Sequence, residues 1–183
     1  MSTLSIDPTI YRTRPAPHNC PAVENAVFDM LQTLSVPFER VEHVPVPTMD
    51  ECSAIGQLLG VEICKNLFLC NRQKTRFYLL MLPANKVFHT KDLSSQIGSA
   101  RLSFADAETM QSLLKTTPGS ASVLGLMNDT EQKVTLLIDR DVTAKPFFGC
   151  HPCVNTGSLK LSTQDLLGKL LPYMHHEPVF VTL

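Results

Sequence analysis

Apolar residues recur at helical spacing along several segments of the chain, and most of these segments are bounded by residues that favour a helix end. The first segment runs from Pro21 to about Ser35, Pro37 stops it, and Asn19 is its candidate N-cap. Three later segments combine a helical pattern with a candidate cap. They are a helix from Thr48 or Asp50 to Gly60, a helix after the capping-box pattern Ser103–Asp106, and a last helix over Leu161–Leu171 with Ser162 and Asp165 at capping-box spacing.

Short apolar runs between polar or turn-forming residues predict strands. The runs Ile63–Cys70 and Phe77–Leu82 flank a polar hexapeptide, which is typical of a hairpin of two buried strands. Further strands are predicted over Phe38–Val44, Val123–Leu126, Val134–Ile138 and Pro178–Leu183. Because helices and strands are mixed without strict β-α-β alternation, we expect an α+β (mixed α/β) fold with a central mixed β-sheet flanked by helices.

The length of 183 residues suits one domain. Residues 1–20 carry Pro8, Pro15, Pro17 and Asn19 within a short distance, so we interpret them as an N-terminal arm. Residues 21–183 then form the folded domain. The N-terminus lacks the apolar core of a signal peptide, and no stretch approaches the roughly 20 apolar residues of a membrane span. We therefore expect a cytoplasmic protein with reduced thiols.

The charge of the chain is nearly balanced in total but not in distribution. The net charge of −1 argues against a protein that coats nucleic acid. Between Lys65 and Arg101, however, seven basic residues stand against one acidic residue, whereas the remainder has nine basic and sixteen acidic residues. The basic block is either a solvated hairpin and helix or a local landing surface for phosphates.

The densest chemical cluster in the sequence is Cys150-His151-Pro152-Cys153. Cys-x-x-Cys spacing suggests zinc or redox chemistry, but zinc needs about four ligands and a redox motif should open a helix. We favour buried structural cysteines and expect no metal. His151, in a segment rich in turn residues, is predicted to be a loop residue that faces a cleft. The pair His175-His176 is predicted to lie on the surface.

Two further features carry candidate chemistry. Lys65 lies inside an apolar run, where it is either an edge-strand lysine that discourages aggregation or a functional cation. The segment Thr117–Ser122 contains Gly119 and offers clustered backbone N–H groups that suit an oxyanion or a phosphate, although most Pro-Gly pairs are simply turns.

Four motifs, taken together, resemble the YbaK-like aminoacyl-tRNA editing domains, a group that also occurs as the insertion domain of bacterial prolyl-tRNA synthetases. The family's strand lysine matches Lys65, its glycine loop matches Gly119, its His-Pro-x-x-Asn-Thr element matches residues 151–156, and its Leu-Ser-Phe-Ala stretch fits residues 102–105. The match runs over residues 23–171. Residues 65–69 resemble the free-standing alanyl-tRNA(Pro) deacylases more than the cysteinyl branch.

One position departs from the family pattern. The glycine loop often reads Gly-x-x-x-Pro, and Val123 stands at the proline position. This change bears on the rigidity of the loop and on the shape of the amino-acid pocket.

The resemblance implies hydrolysis of the ester between an amino acid, most simply alanine, and the terminal ribose of tRNA(Pro), without a metal or cofactor. It implies Lys65, His151 and Gly119 as catalytic residues. The substrate-binding residues would be Asn66, Ser120, Ala121, Asn155 and Thr156. The partners would be the acceptor end of tRNA(Pro) and prolyl-tRNA synthetase, with no role for DNA or a membrane.

Three alternatives stay open at this point. The fold could bind a tRNA end or a synthetase without hydrolysis, or remove cysteine instead of alanine. A cysteine-based redox protein is the third alternative.

Overall fold

The computed structural model describes residues 6–45 and 49–183. Within that part of the chain the strands form two sheets. The strands are β1 (Glu39–Glu42), β2 (Lys65–Asn71), β3 (Phe77–Leu82), β4 (Leu102–Phe104), β5 (Val134–Asp139), β6 (Phe147–Cys150), β7 (Gly157–Ser162) and β8 (Val179–Val181). The larger sheet has the order β4-β2-β3-β5-β8 and the smaller sheet has the order β1-β7-β6.

The larger sheet is mixed, as the sequence predicts. Strand β2 pairs antiparallel with both β3 and β4, whereas β5 pairs parallel with β3 and β8. The smaller sheet is antiparallel throughout. The α+β fold class is therefore confirmed, and the second sheet is a feature that the sequence pattern did not reveal.

The helices lie between and beside these strands. They are α1 (Ala22–Thr33), α2 (Met49–Leu59), α3 (Thr90–Gln96), α4 (Ala107–Leu114), α5 (Arg140–Thr143), α6 (Thr163–Asp165) and α7 (Leu171–Tyr173). A π-helical segment, Leu166–Leu170, joins α6 to α7, and Val123–Asn128 forms a 3-10 helix. Among the residues that the structure describes, no helix is long and apolar enough to span a bilayer.

A close contact between backbones joins the two sheets. Ile63, just before β2, forms a parallel bridge with Gly149 of β6. The Gly149 N–H donates to the Glu62 carbonyl and the Cys64 N–H donates to the Gly149 carbonyl, both at 2.9 Å. A Cβ at position 149 would lie 3.1 Å from the Glu62 oxygen and from the Ile63 Cα. Only glycine allows the two backbones to approach this closely without displacement.

One apolar core extends across both sheets. Helix α1 packs its buried face, which includes Val27, Phe28 and Leu31, against residues of the larger and the smaller sheet. The opposite face of the larger sheet carries a second cluster around Leu69 and Leu80, which helix α3 covers with Leu93. Because the same core holds both sheets, the bridge between them lies on a rigid support.

Two predicted helix caps are wrong. Asn19 lies in a 3-10 turn (Pro17–Asn19), and Pro21 occupies the N-cap of α1 without a side-chain cap. Ser103 lies within strand β4, and Asp106 itself caps α4 by accepting a hydrogen bond from the Thr109 N–H at 2.8 Å. At α4 two residues suited to a cap stand close together, and the pairing of Ser103 within β4 left Asp106 as the cap.

Other helices and strands also differ from the predicted ones in type or in their first residue. Val123–Leu126 is not a strand but the start of a buried 3-10 helix, since a short apolar run has no period that separates the two. The last helix begins at Thr163 because β7 continues through Ser162, which does cap it by accepting from the Asp165 N–H at 3.3 Å. Asp50 lies inside α2, and Thr48 lies outside the described residues.

The described part of residues 1–20 pairs with the smaller sheet. Tyr11 and Arg40 exchange backbone hydrogen bonds of 2.9 Å, and Ile6 bridges to His43. The Arg40 guanidinium also lies 4.4 Å from the centre of the Tyr11 ring. The division into an arm and a domain stays a prediction.

Replacing Gly149 with alanine should lower the free energy of unfolding by about 1–3 kcal/mol, because the new Cβ overpacks the bridge. Gly168→Ala is the matched control, since nothing lies within 4 Å of a Cβ there and alanine favours helix. Urea unfolding of both variants measures the difference. Equal stability of the two variants would contradict the tight contact.

Candidate functional site

The loop between β6 and β7 holds His151 in a buried position. The ring is 8 % exposed, and its Nδ1 lies 2.8 Å from the Gly157 carbonyl oxygen at the other end of the loop. A carbonyl only accepts hydrogen bonds, so Nδ1 carries the proton and donates it. In the neutral ring, Nε2 is then an acceptor.

A second histidine lies behind His151. The His43 ring centre is 5.9 Å from that of His151, and the Ser158 hydroxyl lies between the two rings. His43 Nδ1 donates to the Val44 carbonyl at 2.8 Å, and its Nε2 accepts from Ser158 Oγ at 3.0 Å. Ser158 Oγ also lies 3.4 Å from His151 Nδ1. This chain of contacts orients the His151 ring from its buried side.

Burial keeps both imidazoles neutral. Desolvation lowers the pKa of His43 below its ordinary value, against the opposing effect of its backbone hydrogen bonds. Desolvation also lowers the pKa of His151, and the neighbouring His43 lowers it further. A neutral His151 is suited to accept a hydrogen bond through Nε2 from a water molecule or a hydroxyl group.

Lys65 is the first residue of β2, and the bridge between the sheets joins its segment to the segment that leads to His151. The parallel bridge pairs Ile63 with Gly149, and Lys65 and His151 each follow that bridge by two residues in the same direction. Lys65 Nζ donates to the Lys86 carbonyl at 2.6 Å. Within the larger sheet Lys65 is paired on one side only, with Leu82 of β3, because the pairing of β2 with β4 covers only Leu69–Asn71. The edge-strand explanation for Lys65 therefore stays open beside the functional one.

Asn66 has an unsatisfied acceptor. Its Oδ1 is buried and has no hydrogen-bond partner among the residues that the structure describes, while its Nδ2 makes only a 3.4 Å contact with the Cys64 carbonyl. A buried amide oxygen without a partner is uncommon in folded proteins. Asn66, the residue after Lys65 in β2, therefore holds a buried acceptor with unused hydrogen-bonding capacity.

The glycine turn contacts the histidine loop. Gly119 adopts a left-handed φ of 89°, and a Cβ there would lie 3.3 Å from Asn155 Nδ2. Two motifs that are 36 residues apart in the sequence thus meet in the fold. Val123, at the family's proline position, is buried at the first residue of the 3-10 helix that follows.

The other predicted substrate-binding residues differ in accessibility. The Ser120 hydroxyl and N–H both close the turn onto the Thr117 carbonyl, at 3.0 Å and 2.9 Å, so neither points outward as an unused donor. Ala121 is half-buried and packs against the main core. Thr156 is exposed, and its carbonyl accepts from the His43 N–H at 3.0 Å.

The cysteines and the terminal histidines lie apart from this chemistry. Burial raises the pKa of the Cys153 thiol to about 12 and strongly raises that of Cys150, so neither thiol is activated at neutral pH. His176 is buried, with Nε2 3.1 Å from Asp129 Oδ2, which corrects the expectation that it lies on the surface. His175 is exposed as predicted.

Sequence reasoning missed His43 and Ser158. Neither residue belongs to a motif that signals chemistry, and 115 positions separate them. A histidine next to a proline-rich break was the only available signal, and it is a weak one. Strand pairing between β1 and β7 brings the two residues together.

The lowered pKa values predict a loss of stability in mild acid. Each histidine binds fewer protons when folded than when unfolded, so the unfolding free energy is highest above the ordinary pKa of 6.5 and falls as the pH drops below it. The slope has an upper limit of about 1.4 kcal/mol per pH unit for each ring, which is the value for a difference of one bound proton. His43→Gln should flatten it, which urea unfolding between pH 5 and 7.5 will measure. An unchanged slope would contradict a neutral, buried His43.

The hydrogen-bond chain also predicts the tautomer of His151. At pH 7.5 the Nδ1–H form should dominate, because only that form donates to the Gly157 carbonyl. Two-bond ¹⁵N–¹H correlation spectra of histidine-labelled protein distinguish the two ring nitrogens. A dominant Nε2–H form would contradict this arrangement.

Comparisons with known proteins show which family this chain belongs to. The family model of the aminoacyl-tRNA editing domain matches residues 43–169. The chain is 32 % identical over 143 residues to the "Prolyl-tRNA editing protein ProX" of Acetoanaerobium sticklandii, covering 78 % of this chain and 87 % of that protein. It is 29 % identical to the "Prolyl-tRNA synthetase associated domain-containing protein 1" of Danio rerio, covering 84 % of each.

Solved structures show the same fold. A crystal structure of a candidate trans-editing enzyme for prolyl-tRNA synthetase superimposes with a TM-score of 0.63, at 15 % identity, over 90 % of this chain and 99 % of that one. Since the family model spans Lys65, Gly119 and His151 together with the turns that position them, the chain belongs to the aminoacyl-tRNA editing domain family.

Proposed function

We propose that this protein hydrolyses the ester of mischarged tRNA(Pro) in trans, with alanine as the amino acid that it removes. Membership of the editing family makes it an aminoacyl-tRNA deacylase. The relative from Acetoanaerobium sticklandii is named for prolyl-tRNA editing, which supports tRNA(Pro) as the carrier. The proposal places the enzyme in the cytoplasm, and it leaves a direct contact with prolyl-tRNA synthetase as a further possibility to test.

The observation that carries the proposal is that contacts in the fold link the three sequence-remote segments that carry Lys65, Gly119 and His151. Lys65 and His151 follow the bridge between the sheets, and Gly119 lies against Asn155 of the histidine loop. The group combines a cationic donor, a neutral imidazole acceptor and an unpaired amide oxygen on Asn66. Such a group recognises an ester that carries both hydroxyl and ammonium donors.

The reaction requires water to add to the ester carbonyl carbon. The tetrahedral intermediate carries a negative oxygen, and the carbon–oxygen bond to the ribose then breaks. The proton lost by the water ends on the ribose oxygen, so the products are the free amino acid and a tRNA with its hydroxyl restored. The resemblance to the family suggests that the neighbouring 2′-hydroxyl of the substrate assists this transfer.

In this scheme Lys65 donates to the developing oxyanion or to the terminal phosphate. Backbone N–H groups of the Gly119 turn would add donors, and the Ser120 N–H is not one of them because it is paired within the turn. His151 accepts a hydrogen bond from the attacking water or the ribose hydroxyl through Nε2. Asn66 Oδ1 accepts from the substrate ammonium or hydroxyl group, and Asn155 positions the loop.

Selectivity for alanine follows from size. A hydrophobic pocket discriminates between ligands that differ by one methylene by only about 1–3 kcal/mol, so a synthetase for proline admits smaller amino acids. A second hydrolytic site corrects this error if it admits alanine and excludes the proline ring. Cysteine is the alternative substrate, since it is also smaller than proline.

Lys65→Ala should reduce deacylation of alanyl-tRNA(Pro) by at least about 100-fold, the cost of losing a donor to the oxyanion. Lys65→Gln keeps a donor for the Lys86 carbonyl but removes the charge, so it separates loop anchoring from chemistry. Lys133→Ala, an exposed lysine paired with Glu131, is the control. The rate of ester loss in single turnover is the measurement, and full activity of both Lys65 variants would exclude Lys65 from the reaction.

His151→Ala should cost less, roughly fivefold to tenfold in rate, if His151 contributes one neutral hydrogen bond. The assay is the same, and thermal unfolding confirms that the variant is folded.

Treatment with a chelator should leave the wild-type rate unchanged. Activity lost with the chelator and restored by zinc would argue for a metal at the cysteines.

The choice of amino acid is tested with three substrates on one tRNA. Alanyl-tRNA(Pro) should lose its ester faster than cysteinyl-tRNA(Pro), and prolyl-tRNA(Pro) should be spared. Faster loss from the cysteinyl ester would reassign the specificity. No ester loss from any of the three substrates would favour a protein that binds tRNA without hydrolysis.

A further inference from the structure

An exposed apolar patch lies beside the candidate catalytic lysine and has no role in the scheme above. It consists of Val87, Phe88 and Phe104, which we call the aromatic platform. Val87 is 69 % exposed and Phe104 is 63 % exposed, the largest values among the large apolar side chains that the structure describes as exposed. The rings of Phe88 and Phe104 meet edge to face with their centres 6.5 Å apart.

The aromatic platform is held rigidly next to Lys65. The Lys86 carbonyl, which directly precedes Val87, accepts the hydrogen bond from Lys65 Nζ. The Lys86 ammonium is paired with the buried Asp139 at 2.8 Å and with Asp141 at 2.8 Å. This anchoring fixes the loop on which Val87 and Phe88 lie, so the exposure of the patch does not come from a loosely attached segment.

Phe104 lies in the first pair of the ladder between β2 and β4, which begins four residues beyond Lys65 on β2. In the antiparallel pairing of β2 with β4, Leu69 faces Phe104 and Asn71 faces Leu102. At about 3.3 Å per residue, Leu69 lies about 13 Å from Lys65 and Asn71 about 20 Å from it. Arg72 and Arg101 are the next residues beyond that last pair, and both are exposed.

These two arginines are available for anions. Among the residues whose side chains the structure describes, neither lies within ion-pair distance of a carboxylate, unlike Lys74, which is paired with Asp106. Strand β4 is the end strand of the larger sheet, so the ladder borders open solvent. The basic block of the sequence therefore contributes uncompensated positive charge at the far end of this ladder.

We propose that the aromatic platform and the Arg72–Arg101 pair bind the single-stranded 3′ end of tRNA as it leads away from the ester. This proposal rests on the proposed function, because it takes the ester to be held at Lys65. Bases of the 3′ end stack on Phe104 and its neighbours, while the two arginines contact phosphates nearer the stem. Aromatic faces beside a positively charged groove are the features that bind single-stranded nucleic acid without sequence preference.

A protein partner or a second copy of this chain would use the same patch differently. The centre of a protein interface is depleted of charged residues, whereas here two arginines without an ion pair follow the exposed Phe104 ring along the strand pair. The charge complementarity favours a polyanion. The experiment below distinguishes the three occupants.

The first test measures binding of a fluorescent RNA hairpin that carries no amino acid. The hairpin reproduces the acceptor stem of tRNA(Pro) with its 3′ overhang. Phe104→Ala in the full chain should raise the Kd at least fivefold, the lower end of the loss for one stacked base. Phe147→Ala is the matched control, because Phe147 is 46 % exposed on the other sheet, and it should change the Kd less than twofold. A hairpin without the overhang should bind weakly and should not distinguish the Phe104 variant from the wild type.

The second test measures salt dependence. Arg101→Gln and Arg72→Gln should each reduce the slope of log K against log salt by about 0.7–0.9, the value for one phosphate contact. Lys133→Gln should leave the slope unchanged. An unchanged slope in both arginine variants would show that neither arginine contacts a phosphate of the RNA.

Kinetics separate this proposal from the proposed function. With alanyl-tRNA(Pro), Phe104→Ala should raise KM and leave kcat unchanged, and with the alanyl ester of adenosine it should change neither.

If Phe104→Ala weakens hairpin binding but no ester is hydrolysed by the wild type, the platform stands and the proposed function fails. If the wild type hydrolyses the ester and Phe104→Ala binds and reacts like the wild type, the platform is overturned. A shift from dimer to monomer in sedimentation of Phe104→Ala would also overturn it, in favour of a second copy.

Discussion

The contact between Ile63 and Gly149 is the constraint on which the rest of the candidate site depends. The bridge brings the start of β2 and the end of β6 to within hydrogen-bonding distance, 2.9 Å on each side of Gly149. Lys65 and His151 each lie two residues beyond this bridge in the same direction, so the bridge links the segments that carry them. The absence of a side chain at position 149 allows this close approach of the two backbones.

Desolvation determines the chemistry that these groups can perform. His43 and His151 are buried, so both rings are held neutral, and the carbonyls of Val44 and Gly157 accept hydrogen bonds from the Nδ1–H groups. The result is an imidazole whose Nε2 accepts, supported from behind by Ser158. The cysteines beside it have the same burial but a different outcome, since desolvation keeps Cys150 and Cys153 as inert thiols. Desolvation therefore keeps the histidine neutral, so that it can accept a hydrogen bond, and keeps both cysteines protonated, so that they are unreactive.

The proposed binding surface begins near Lys65 and extends along β2. Lys65 is the first residue of β2, the exposed Phe104 faces Leu69 in the pairing of β2 with β4, and Arg72 and Arg101 follow the last pair of that ladder. The hydrogen bond from Lys65 to the Lys86 carbonyl joins the lysine to the loop that carries Val87 and Phe88, and the ion pairs of Lys86 anchor that loop.

Local patterns in the sequence determined the helices and strands with a strong period. Helix α1, the β2–β3 hairpin, β5 and β8 lie where the apolar spacing predicts them, because burial of one face depends on residues a few positions apart. The sequence also singled out Lys65, Gly119, Asn155 and His151, whose types suit the chemistry. It did not separate a strand from a 3-10 helix at Val123, choose between neighbouring caps, or reveal the strands on either side of the histidine loop.

The tertiary structure alone decided which of these residues meet. His43 and Ser158 are 115 positions apart, and only the pairing of β1 with β7 makes them neighbours of His151. It also decided that His176 is buried against Asp129, that the Ser120 N–H is used within its own turn, and that Phe104 is left exposed. The physical reason is the same in each case. The pattern of apolar and polar residues along a chain indicates which face of a segment is buried. Desolvation, hydrogen-bond partners and proximity depend instead on which distant segments pack against it.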